Sequence, residues 1–156
     1  MSEVAIIGLG NLIKGDDGIG IQVIREIEQD IPKEIEVIDG GTAGLNILNF
    51  MEQKEKIIVI DALNLGEEVG EVIELDGEKV PEYENLSLSA HDIDFIDALQ
   101  IGQELGIDPE IKVIGVEIGD LKGRELSMDL SEKVKQAIPE VKQRIFDEIE
   151  KDFSKN

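Results

Sequence analysis

The sequence predicts a three-layer α/β sandwich, with a mostly parallel twisted sheet of about five strands flanked by helices. Two observations predict it. Short β-branched apolar runs alternate with stretches of helical period. One run, Ile57-Ile58-Val59-Ile60, has no polar residue at all, as in a central strand covered on both faces.

The first strand is Val4-Ala5-Ile6-Ile7, and a glycine-rich loop, Gly8 to Gly20, leads from it into a helix over Ile19–Asp30. Ile19, Val23, Ile24 and Ile27 share one face of that helix, and Pro32 should end it. Ile35 to Ile38 is the second strand, closing on an Asp39-Gly40-Gly41-Thr42 turn. Thr42 can cap a helix over Ala43–Gln53 that faces inward through Leu45, Leu48 and Met51. The central strand ends on Asp61. Glu71 to Leu75 alternates in polarity and reads as an edge strand; Pro81 to Ala90 reads as irregular. A helix over Asp92–Leu105 carries Phe95, Leu99, Gly102 and Leu105 on one stripe. Ile111 to Val116 is the last strand, followed by Glu117 and a loop over Gly119–Leu126. Ser131 can cap a final helix with Val134, Ala137, Ile138, Val141, Ile145 and Ile149 inward, which Pro139 should kink or restart.

At 156 residues the chain is expected to form a single domain, 1–156. It lacks a signal peptide pattern and an apolar run long enough to cross a bilayer, so no membrane partner and a soluble, cytoplasmic protein are expected. With no cysteine, thiol catalysis, thiolate metal sites and disulfides are excluded. A net charge of -21 argues against nucleic acid, which needs basic patches. Most of that charge reads as the solvated Glu- and Lys-rich surface of a heat-adapted protein. It does not explain acids at strand ends, where ligands of open α/β sheets bind: Asp39, Asp61, Glu117 and the Asp16-Asp17 loop.

The glycine loop is not a nucleotide loop. A dinucleotide fingerprint would need glycine at Ile13. A P-loop would need Lys and Ser or Thr after Gly15, where Asp16 and Asp17 stand. Two carboxylates repel phosphate and attract a metal or cationic group. A flavin- or nucleotide-binding domain is disfavoured on the same grounds and by the 3% aromatic content. His91 is the sole histidine and sits where a loop meets a helix; the helix N-terminus disfavours imidazolium and keeps the ring able to bind metal. Taken singly, His91 reads as an exposed loop histidine, and Asp17 and Asp61 as turn or capping residues. Together they make a mixed oxygen–nitrogen set suited to a divalent metal with open positions.

The loop Gly8-Leu9-Gly10-Asn11-Leu12-Ile13-Lys14-Gly15-Asp16-Asp17-Gly18-Ile19-Gly20 resembles that of the nickel–iron hydrogenase maturation proteases. An aspartate ending a central strand, a histidine before a later helix and an Asp-Gly-Gly-Thr turn after the second strand extend the resemblance over nearly the whole chain. The resemblance implies an endopeptidase of aspartic type that removes the C-terminal extension of a nickel-loaded hydrogenase large-subunit precursor, its partner. It implies that Asp17, Asp61 and His91 are both metal ligands and catalytic residues, with Asp16 left open as an alternative ligand or a hydrogen-bond partner. The nickel would come with the substrate, and other divalent metals such as cadmium would fit the same donors. Asp39, Gly40, Gly41 and Thr42 are expected to line the substrate cleft. Whether the metal activates water or only positions the substrate stays open, as do the particular hydrogenase and the oligomeric state. The competing reading is a non-catalytic α/β module that binds a metal or small ligand.

Overall fold

A computed structural model of the chain describes residues 3–41, 47–77, 90–120 and 124–154, with the side chains of residues 47, 50, 90–96 and 152–154 outside that description. Its elements are β1 (Val4–Leu9), α1 (Ile19–Ile27), β2 (Glu36–Gly41), α2 (Ile47–Met51), β3 (Lys56–Leu63), β4 (Val72–Asp76), α3 (Ala90–Glu104), β5 (Glu110–Glu117) and α4 (Glu132–Ser154). A short 3-10 turn, Gly15–Gly18, precedes α1.

The sheet order is β2-β1-β3-β5-β4. The first four strands are parallel, and β4 lies antiparallel on the edge beside β5, as its alternating polarity predicts. β3 is central and buried along its whole length. Alternation along it feeds two cores. Ile58, Ile60 and Ala62 join α1 and α4 through Val23, Ile27, Val141 and Ile145. Ile57, Val59 and Leu63 join Met51 of α2 and Leu99 of α3 on the other face. That is the predicted three-layer sandwich.

α1 forms despite a glycine in its first turn. Gly20 costs the helix roughly 1 kcal/mol relative to alanine. Ile19, Val23, Ile24 and Ile27, all buried, each return about 1.5–3 kcal/mol. The glycine is dictated by packing: a Cβ there would strike the carbonyl oxygens of Leu9 and Ile60. Gly8 and Gly10 are the same case, because a Cβ would meet Gly20 and Ile24 at the first and the Asp17 carbonyl at the second. The glycines of the first loop thus let α1 and its leading turn lie directly on the ends of β1 and β3.

Several expected boundaries move. β1 runs on to Leu9, so Gly8 and Leu9 belong to the strand, and α1 ends at Ile27, before Pro32 acts. Asp39, Gly40 and Gly41 are the last residues of β2 rather than a turn, because β2 stays paired with β1 through Gly41. Asp61 lies inside β3 and Glu117 inside β5, since the two strands remain paired to Leu63 and Glu117. α3 starts two residues early, at Ala90, and Leu105 falls beyond its end, 67% exposed instead of inward. α4 runs unbroken through Pro139, so the proline does not restart it. Its inward face is the predicted one. Thr42, Leu45 and the start of the second predicted helix lie outside the described residues, as do residues 81–89 and the side chain of Phe95.

Candidate active site

Register brings the acids to one edge. In the parallel ladder Gly8 pairs with Asp39 of β2 and Ile60 of β3, and Asp61 pairs with Gly115 of β5. The 3-10 turn carrying Asp16 and Asp17 packs on β3 at the same end, because Gly20 seats α1 against Ile60. Asp17 and Asp61 are 1% and 3% exposed. A buried carboxylate needs partners to stay charged. The Asn11 amide donates to Asp17 Oδ2 at 3.1 Å, and the Ala62 amide donates to Asp61 Oδ1 at 2.8 Å.

α3 supplies the third element. Gly102 near its end packs against Met51 and Ile107, beside the chain's entry into β5 at Glu110. His91 lies in the first turn of α3, roughly 16 Å along the helix from Gly102. The side chain of His91 lies outside the described residues. Among the described residues no three His, Asp or Glu side chains group as metal ligands. The structure therefore brings Asp17 and Asp61 to one end of the sheet, and His91 lies in the first turn of α3.

Alternation separates two acids that the sequence puts together. Asp61 shares the α2–α3 face with Val59 and Leu63. On β2, Val37 packs with the α1–α4 core and Ile38 with the other, so Asp39 turns toward α1. There it meets Arg25 at 3.7 Å and accepts from the Gly41 amide at 3.2 Å. Asp39 and Asp61 share an edge but not a face. Counting residues by twos along each strand would have found this. The neighbouring glycines also have packing reasons. A Cβ at Gly40 would press on Ile7 and Leu9, and Gly41 has φ 48°, the left-handed region that favours glycine. Thr42 is outside the described residues.

Asp16 and Glu117 are anchors. Asp16 is 3% exposed; its Oδ2 accepts from Arg124 Nη1 at 3.0 Å and its Oδ1 from the Ser131 amide at 2.6 Å. Glu117, wholly buried, accepts from the amides of Leu65, Glu67 and Gly119 at 2.7, 3.1 and 2.8 Å, and so ties down the loop after β3. Sequence reading missed the Asn11 amide, six residues from Asp17 in the same loop, and Arg124, which pairs with Asp16 across 108 residues that no local pattern marks. A cavity of about 370 Å³ between Met51, Leu99, Ile107 and Ile111 lies at the opposite end of the sheet from these acids.

A family model described as HycI hydrogenase maturation protease matches residues 21–148, a span that holds Asp39, Asp61 and His91 and begins just past Asp17. A Methanocaldococcus jannaschii protein that bears the name of a hydrogenase maturation protease is 33% identical over 152 residues, 96% of this chain and 97% of its own. The hydrogenase expression/formation protein HupD of Bradyrhizobium diazoefficiens is 28% identical over 125 residues, 78% of this chain but 65% of that longer protein. The structure is similar to that of the hydrogenase maturating endopeptidase HybD from Escherichia coli, with a TM-score of 0.84 and 25% identity over 97% of this chain and 94% of the other. Sequence and architecture agree, and the chain belongs to the hydrogenase maturation protease family.

Proposed function

We propose that the protein is an endopeptidase that removes the C-terminal extension of a hydrogenase large-subunit precursor, and that it recognises nickel already seated in that precursor. One observation supports this reading beyond the family: two buried carboxylates, Asp17 and Asp61, stand at the same end of the sheet, and we infer that His91, in the first turn of α3, completes the set. The donor set fits a borderline divalent ion. Each carboxylate has one oxygen held by a main-chain amide, which fixes the side chain and preserves its charge. The histidine stands where a helix N-terminus favours the neutral ring that a metal needs. Nickel in the substrate would supply recognition and electrophilic assistance at the scissile carbonyl. The protein's part is positioning and proton transfer. One of the two aspartates takes a proton from the attacking water and returns it to the departing amine nitrogen. Two carboxylates and one imidazole make a weak, open site, so the fold does not depend on a resident ion.

The test compares nickel-loaded with nickel-free precursor. The enzyme should shorten the first and leave the second intact. His91→Ala and Asp17→Asn should fold and fail on both, and a chelator added to the free enzyme should leave its melting temperature nearly unchanged, unlike a structural zinc protein. Equal cleavage of both precursors would remove nickel from the account.

A further inference from the structure

Asp16 and Asp17 are adjacent, yet their surroundings differ. Side chains of consecutive residues in a 3-10 turn diverge by about 120°. Asp16 points to the segment between β5 and α4, where Arg124 and the Ser131 amide take both its oxygens. Arg124 donates its other nitrogen to the Ile118 carbonyl at 2.8 Å, which links the end of β5 into the same cluster. Main-chain bonds close the rest of the seam: Ser127 N–H to the Ile13 carbonyl at 2.8 Å, and Gly15 N–H to the Ser127 carbonyl at 2.6 Å. Gln22 of α1 adds a bond to the Met128 carbonyl at 3.3 Å. Displacing the turn would draw Asp16 out of two charge-assisted bonds and carry Asp17 away from its seat on the Asn11 amide.

We propose that Asp16 is a positioning residue: with Arg124 it clamps the β5–α4 segment onto the first loop and thereby sets the orientation of the Asp17 carboxylate. Its consequence for cleavage rests on the function proposed above; the clamp itself rests on geometry alone. The Asn11 amide, which donates to Asp17, is the reporter.

The experiment follows amide hydrogen exchange in the full-length protein and its Arg124→Ala, Arg124→Lys and Asp16→Asn variants, beside single-turnover cleavage of nickel-loaded precursor. In Arg124→Ala, exchange at Asn11 should rise at least tenfold while Val59, in the central strand, keeps its protection. Arg124→Lys, which keeps the charge but not the fork, should recover part of it. The cleavage rate should fall at least tenfold in Arg124→Ala with KM little changed, as expected when a reacting group is misplaced but the substrate still docks. Arg124 is 42% exposed, so its alanine variant carries the test even if Asp16→Asn does not fold. Unchanged Asn11 protection in Arg124→Ala would overturn the proposal, and so would a full cleavage rate with Asn11 released. If the wild-type protein fails to cut any precursor, the proposed function falls, while the Asn11 reading still decides the clamp.

Discussion

At the N-terminal end of the parallel strands carboxylates meet lysines, whereas at the C-terminal end they meet main-chain amides and arginines. Lys56 opens β3 and lies 3.1 Å from Glu110 and 3.5 Å from Glu148. Lys54 is 2.8 Å from Glu36, and Lys112 is 3.3 Å from Asp76. At the other end the hydrogen bonds on Asp17, Asp61 and Glu117 come from backbone N–H groups of Asn11, Ala62, Leu65, Glu67 and Gly119. A lysine neutralises a carboxylate, whereas an amide adds no charge and fixes the carboxylate in place. The difference teaches how so acidic a chain separates two uses of the same side chain. One end is laced by lysine ion pairs, and at the other main-chain amides pin Asp17, Asp61 and Glu117.

Substitutions at the two ends should therefore read out on different scales. The largest effect is expected at the acid edge. Asp61→Asn removes the charge but keeps the shape, and precursor cleavage should drop by roughly 10²–10⁴-fold, the range for loss of a positioned acid or base. Thermal unfolding of that variant should stay close to wild type. A variant that cuts normally would erase the distinction between the two ends.

Next is the lysine edge. Lys56 and Glu148 are both about nine-tenths buried or more, and Lys56→Met leaves the Glu148 carboxylate without that cation. Breaking a buried pair in this way costs about 3–5 kcal/mol. Denaturant unfolding should show that loss, and cleavage measured at a temperature where the variant is folded should be unaffected. A loss of cleavage without a loss of stability would mean that the two ends are coupled.

The smallest effect concerns pH. Burial pushes the Lys112 ammonium down, but the hydrogen bond to Asp76 and the charges of Asp76, Glu148 and Glu74 outweigh it, and the pKa is raised above the usual lysine value. The folded state then holds this proton more tightly than the unfolded chain. The stabilisation is complete below about pH 10.4 and is lost as pH rises through the folded value. Lys112→Met should lose less stability than wild type between pH 9 and pH 11 in urea unfolding. The difference should be below about 1 kcal/mol, as for other partly exposed pairs. An equal loss in both proteins would exclude Lys112 as the titrating group.

The sequence by itself determined the layered α/β class and the central place of β3, because period-two and period-3.6 burial is written residue by residue. It also determined the inward face of α4 and the edge position of β4. The resemblance that led to the family was carried by short motifs in order along the chain, Gly8 to Gly20, Asp39 to Thr42, Asp61 and His91. Only the tertiary structure decided what those residues do locally. Gly8, Gly10 and Gly20 are glycines because strand and helix backbones touch there, a contact between segments that no loop pattern reveals. Asp39 and Asp61 part to opposite faces because each strand's alternation is referenced to the cores it meets, and Arg25 waits on one of them. Asp16 is distinguished from Asp17 only by Arg124 and Ser131, more than a hundred residues away. Local periodicity encodes which residues are buried; long-range packing chooses their partners, and it is the partners that make Asp16 an anchor of the first loop.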